Sequence, residues 1–124
     1  MLSRVYRNTR VSPDGLLAWS TLTHDEITAT GCDASVIDDQ VEVPRAVEGI
    51  AVAILLSEGD RGKVRINFRG ERGVGVLPLA QQFGGGGHHA SAGARVDGAL
   101  ADVAEQVVAA ARAFVAGIPA HAET

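Results

Sequence analysis

Four consecutive glycines followed by a histidine, Gly84, Gly85, Gly86, Gly87 and His88, are the residues of this chain whose types and spacing best suit chemistry. Glycine loses more backbone freedom on folding than any other residue, so a run of four is a costly way to make an ordinary connection. Main-chain N–H groups with no Cβ in the way, some at positive φ, form a nest of amide dipoles that holds an anion. His88 adds a side-chain donor, as suits a site for phosphate or carboxylate. A valine at Gly86 is therefore expected to strain the loop and displace the anion together. The competing reading is a flexible linker, but linkers of this composition are usually Gly/Ser-rich between polar flanks. Here the run lies between an apolar helix end at Phe83 and a Ser-Ala-Gly-Ala segment from Ser91 to Ala94, so a binding loop is the better reading.

Charge is arranged around this loop. The chain has a net charge of −4, which argues against a nonspecific nucleic-acid binder with a broadly basic surface. Between Asp60 and Arg95, however, Arg61, Lys63, Arg65, Arg69, Arg72 and Arg95 stand against only Asp60 and Glu71. Residues 63–69 alternate strictly. Val64, Ile66 and Phe68 face one way, and Lys63, Arg65, Asn67 and Arg69 the other, giving a strand with one buried and one cationic face. Arg69 ends that strand, where ligand-facing residues tend to stand in α/β sheets. A solvated strand face is the ordinary alternative for such a run.

The elements that must position these residues are legible in outline. Residues 3–11, a turn at Ser12-Pro13-Asp14-Gly15 and residues 16–22 read as a β-hairpin, with Trp19 as a core anchor. Thr23 and Glu26 have capping-box spacing for a short helix that Gly31 ends, with His24 exposed in its first turn. Residues 32–48 read as a second short helix and a connection broken at Pro44. Asp38 and Asp39 are adjacent, point apart on a helix and lack a histidine at ligand spacing, so they read as a solvated or capping pair rather than a metal site. Residues 50–56 are a short apolar run with the signature of a strand buried on both faces, and residues 57–62 read as the turn after it. Pro78 suits the first turn of a helix that stops at the glycines, and residues 92–96 form the next strand. Asp97 is a natural N-cap for the last helix, whose stripe of Leu100, Val103, Ala104, Val107, Val108, Ala111, Phe114 and Val115 is core packing and which Gly117 and Pro119 end.

The fold class is thus α/β: a mixed β-sheet flanked by helices, with the Gly-Gly-Gly-His loop between a short helix and a strand. Residues 1–31 read as an N-terminal hairpin and linker-like segment ahead of a domain at 32–124, or the whole as one continuous domain; 124 residues suffice for a single core. The lone Cys32 favours a reducing cytoplasm. The longest apolar run has seven residues against the ~20 of a membrane helix, and no signal-peptide pattern opens the chain.

Gly85 to His88, with Ala80, Phe83 and Gly84 before and Ala92-Gly93-Ala94 after, resemble the C-terminal DHH-associated domain of DHH-type phosphoesterases. Pro44-Arg45, Val47, Gly49, the strand to Leu56-Ser57-Glu58 and residues 64–69 resemble its nano-RNase and pAp-phosphatase branch. The resemblance implies a two-lobed hydrolase. Its N-terminal DHH domain would carry two Mn²⁺ or Mg²⁺ ions, and this lobe would bind a short single-stranded oligonucleotide or nucleotide phosphate through Arg69, Gly84, Gly85, Gly86, Gly87 and His88. That partner domain would lie upstream or on a separate chain, and a homodimer is compatible with the sequence. The family commonly has Ser after the arginine, where this chain has Gly70, and nothing supports a role for His89. The Asp-His-His and Asp-x-Asp motifs are missing, and His24, His88, His89 and His121 offer no ligand set, so no catalytic residue, cofactor or metal site is expected in this chain and no turnover from it alone. Two other readings remain: a stand-alone nucleic-acid or nucleotide-binding module, and the related C-terminal domain of alanyl-tRNA synthetase, against which the Pro44-Arg45 and Arg69 matches speak.

Overall fold

A computed structural model describes residues 2–118. It shows a mixed six-stranded sheet with helices on both faces, the expected α/β class. The elements run α1 (Leu2–Arg7), β1 (Thr9–Val11), β2 (Leu17–Leu22), α2 (His24–Thr30), α3 (Ala34–Asp39), α4 (Glu42–Arg45), β3 (Val52–Asp60), β4 (Lys63–Gly70), α5 (Leu77–Gln81), β5 (Gly86–Gly87), β6 (Ser91–Asp97) and α6 (Leu100–Ala116). Strand order is β1-β2-β3-β4-β6-β5. Every neighbouring pair is antiparallel except β2 and β3, which are parallel and joined through α2, α3 and α4.

The alternation in β4 sorts the whole sheet into two faces. Val64, Ile66 and Phe68 share a face with Leu17 of β2, Val52, Ile54 and Leu56 of β3, and Ala92 and Ala94 of β6, and α5 and α6 cover it. The α6 stripe is core as expected: Val103, Val107, Ala111 and Val115 are buried, and Trp19 packs half-buried against the same cluster. Phe68 and Phe83 stack with ring centroids 6.4 Å apart, which fixes the end of α5 over β4 just before the glycine run. On the opposite face α1 to α4 cover only β1 to β3. There Val5, Ile37, Val41 and Val43 pack on Leu22 and Leu55, and Ile50 joins Ala18 and Ala53.

Local chemistry explains most boundaries. The Thr23–Glu26 capping box forms in both directions, and Gly31 ends α2 at φ 68°. Burial of the Glu26 carboxyl opposes its ionisation, but bonds from the Thr23 backbone, Asn8 and the Thr23 hydroxyl outweigh that and hold it below its ordinary 4.5. Pro78 sits in the first turn of α5, and Gly117 caps α6; Pro119 and His121 lie outside the described residues.

Several expectations needed correction. Residues 2–7 form a helix, not hairpin strand, so the hairpin pairs only Thr9–Val11 with β2. Residues 32–48 hold two short helices, and Pro44 stands inside the second as its third residue, where its missing N–H would have had no helical partner anyway. The strand from Val52 continues to Asp60, past a register shift between Ser57 and Asp60. His24 is half-buried, its Nδ1 2.6 Å from the Gly59 carbonyl in that irregularity. Asp97 belongs to β6, and Ala99 takes the N-cap of α6 without a side-chain bond.

Candidate functional site

Because α1 to α4 stop short of β4, the face they cover on β1 to β3 continues uncovered across the rest of the sheet. Its floor is polar. Arg65, Asn67 and Arg69 of β4 stand directly opposite Arg95, Gly93 and Ser91 of β6, and Gly93 pairs in turn with Gly86 of β5. Opposed residues in an antiparallel pair share a face, so these side chains and the bare Gly86 and Gly93 backbone form one surface. His88 follows Gly86 by two and falls on that face by alternation; its N–H donates to Ser91 O at 2.8 Å, closing the β5–β6 hairpin. The structure therefore brings Arg69, Gly86 and His88 to one face, at the end of β4 and β6 nearest the glycine loop.

The glycine loop itself differs from a simple amide nest. Gly84 and Gly87 adopt positive φ, 75° and 138°, whereas Gly85 and Gly86 do not. The Gly85 N–H donates to Ala80 O at 3.0 Å and is already committed. What the glycines provide is close approach. A Cβ on Gly85 would stand 2.0 Å from Gly93 O and one on Gly87 2.9 Å from Ser91 O, so β5 lies against β6 only because both lack one. The strain expected from a side chain at Gly86 is not there: nothing lies within 4 Å of its Cβ position, which opens onto the polar floor.

Electrostatics divides the floor. Asp38 of α3, read from sequence as solvated or capping, instead reaches over the strand edge. Its carboxylate accepts from Arg65 Nη2 at 2.5 Å, Arg65 Nε at 3.3 Å and Asn67 Nδ2 at 3.0 Å. Lys63 pairs with Asp97 and Arg61 with Asp25. Among the described residues Arg69 and Arg95 have no acidic partner; Arg69 makes only a 3.4 Å contact to the Phe68 carbonyl. A half-buried guanidinium in this condition is an anion site by its chemistry, since its fork matches two phosphate oxygens. No local pattern announces the Asp38 contact, because Arg65 lies 27 positions away.

Gly70 and His89, the two departures from the resemblance, belong to one arrangement. A Cβ at Gly70 would meet Val74 O at 1.8 Å, so the turn after β4 occupies the space a serine would need. That turn is pinned by His89. Its Nε2 lies 3.2 Å from Gly73 O, its carbonyl accepts from Val76 N, and its ring fills the space beside Gly75. Arg45, in the Pro44-Arg45 pair, also serves this turn, with Nε 2.9 Å from Glu71 Oε2. Among the described residues no three His, Cys, Asp or Glu side chains are grouped to hold a metal ion, so the side chains present do not fit the metal pair of a phosphoesterase.

The comparisons with known proteins agree with this architecture. The DHHA1 domain matches residues 21–117. The bifunctional oligoribonuclease and PAP phosphatase NrnA of Thermus thermophilus is 40% identical over 76 residues, which are 60% of this chain and 23% of that protein. Among solved structures, an exopolyphosphatase-related protein from Bacteroides fragilis superposes with a TM-score of 0.74 at 24% identity, over 86% of this chain and 32% of that one. The pGpG-specific phosphodiesterase PggH of Vibrio cholerae does so at 0.54 and 16%, over 89% and 37%. The chain thus spans about a quarter of the curated relative and about a third of each solved structure. With a match over most of its length and a sheet that superposes on these larger proteins, the chain belongs to the DHHA1 family, as a DHH-associated domain of the oligoribonuclease and PAP-phosphatase branch.

Proposed function

We propose that this chain is the substrate-binding lobe of a DHH-type phosphoesterase acting on short oligonucleotides or 3′-phosphoadenosine 5′-phosphate. The phosphate is held at Arg69 and His88, against the bare backbone of Gly84 to Gly87, and the metal chemistry comes from a DHH domain upstream or on another chain. The observation that carries the reading is the half-buried Arg69, without an acidic partner among the described residues, on the polar half of the sheet that the helices leave open. The 40% identity to a relative named as an oligoribonuclease and PAP phosphatase supports the ligand class. No described helix is long and apolar enough to cross a membrane, and with the single Cys32 we place the protein in the cytoplasm.

Calorimetry with 3′-phosphoadenosine 5′-phosphate and with a short oligoadenylate tests the reading. Arg69→Lys and His88→Ala should each weaken binding by about 1–3 kcal/mol, as for loss of a hydrogen bond to a charged group, with the melting temperature unchanged. Lys fails because a point charge cannot copy the guanidinium fork. Wild-type affinity in both variants overturns the assignment.

A further inference from the structure

Arg95 is exposed, has no acidic partner among the described residues, and stands directly opposite Arg65 on the open face. Like charges in register across two strands are destabilising unless something neutralises them, and Asp38 neutralises only Arg65. Two clefts meet at this pair. One, of about 350 Å³, runs along Asn67, Gly84, Gly85 and Gly93 toward the glycine loop. The other, of about 480 Å³, lies beyond Arg65 and Arg95, under α2 and α3, with Ile27, Cys32 and Ile37 as an apolar wall. Neither cleft includes Arg69.

The second cleft has the chemistry of a nucleoside pocket rather than a phosphate site. Its cations are largely cancelled, Lys63 by Asp97 and Arg65 by Asp38, which leaves Arg95 at the mouth as the uncompensated charge. Its wall also holds Ser57, whose buried Oγ has no hydrogen-bond partner, a group that a bound polar ligand can satisfy. The irregularity of β3 between Ser57 and Asp60 shapes this wall, and bulges of that kind are common beside binding sites. Arg69 and Arg65 are four residues apart on β4, about 13 Å along the strand, so Arg69 and Arg95 are too far apart for one phosphate to bridge.

From this spacing we infer that Arg95 holds a second phosphate, the linkage to a further nucleotide, and that the cleft under α2 and α3 receives that nucleotide's base and sugar. The ligand is then a linear single-stranded oligonucleotide lying along β4 and β6 from Arg69 to Ser57, and a mononucleotide fills only the Arg69 end. This rests on the binding role proposed above and specifies which ligand that site prefers.

The test compares adenosine 3′,5′-bisphosphate with a 5′-phosphorylated triadenylate, titrated by calorimetry into the full chain and into Arg95→Ala and Ala34→Trp. Arg95 is exposed, and Ala34 is exposed at the start of α3 and lines the cleft, so both variants should fold. Each should weaken triadenylate binding roughly tenfold or more, the scale of a lost charge-assisted contact, and leave bisphosphate binding unchanged. The triadenylate should also show the steeper salt dependence, because it engages one more cation. Equal loss for both ligands, or for neither, overturns the second site while leaving the Arg69 reading intact. If neither ligand binds the wild-type chain, the binding role itself has failed, and the second site with it.

Discussion

A Cβ placed on Gly85 would stand 2.0 Å from the Gly93 carbonyl and 2.7 Å from the Ala94 Cβ, whereas one on Gly86 meets nothing within 4 Å. These neighbours should therefore respond in opposite ways to side chains. Gly85→Ala forces β5 off β6 and should cost about 1–3 kcal/mol of stability, as overpacking does. Gly86→Val should leave the melting temperature near the wild type and lower ligand affinity, because its methyl groups stand on the binding floor. Thermal denaturation paired with calorimetry checks both, and a strongly destabilised Gly86→Val would contradict the described backbone. Gly70→Ser, which restores the residue the family commonly has, should destabilise by a similar about 1–3 kcal/mol, since Val74 O occupies the Cβ position. At this scale the sequence revealed which residues matter but not how they are used. A run of four glycines advertises a backbone that must come close to something, yet which amides are committed depends on partners such as Ala80 O and Ser91 O, which only the assembled hairpin supplies.

Elements were legible where one periodic signal decided them. The alternation of residues 63–69 assigned β4 and both its faces, and the apolar run from Ile50 assigned β3, because a strand buried on both sides has no polar face to alternate. α1 was illegible: it is six residues long, and Val5 is the residue it buries, so no stripe forms. Asp97 was a good N-cap by type, but β6 uses it as a strand residue opposite Lys63, and Gly98 then turns the chain at φ 147° before α6 starts. α2 offers the sharpest element-scale prediction. Thr23→Ala removes one half of the capping box and should cost about 1 kcal/mol. Glu26 ionises in the folded state at a pH below its ordinary 4.5, so its charge stabilises fully above 4.5 and that contribution is lost as pH falls through the lower folded value. Glu26→Gln keeps the capping geometry without the charge. Melting curves at several pH values should show the wild type's advantage over this variant shrinking below pH 4.5; an advantage independent of pH would mean the carboxylate charge is not what stabilises α2.

For the whole molecule, the division of the second sheet face decides what the chain does by itself. Helices over β1 to β3 build a core there, and their absence over β4, β6 and β5 leaves the arginines and glycines accessible. Binding needs only that surface. Phosphoester hydrolysis by two metal ions needs several carboxylates and imidazoles converging, and the described residues hold no such group. The purified chain with Mn²⁺ and a nucleotide phosphoester should therefore show no turnover above background, and metal-dependent hydrolysis that tracks the protein through purification would refute this. The outermost strands, β1 with three residues and β5 with two, have a further consequence. An exposed sheet border is a template for another chain's backbone, and very short border strands remove that template. The same glycines that keep β5 short and bare thus also protect against fibrous self-assembly. Any pairing of two copies has to use the side-chain-bearing faces of the domain, not continuation of the sheet from one copy into the next.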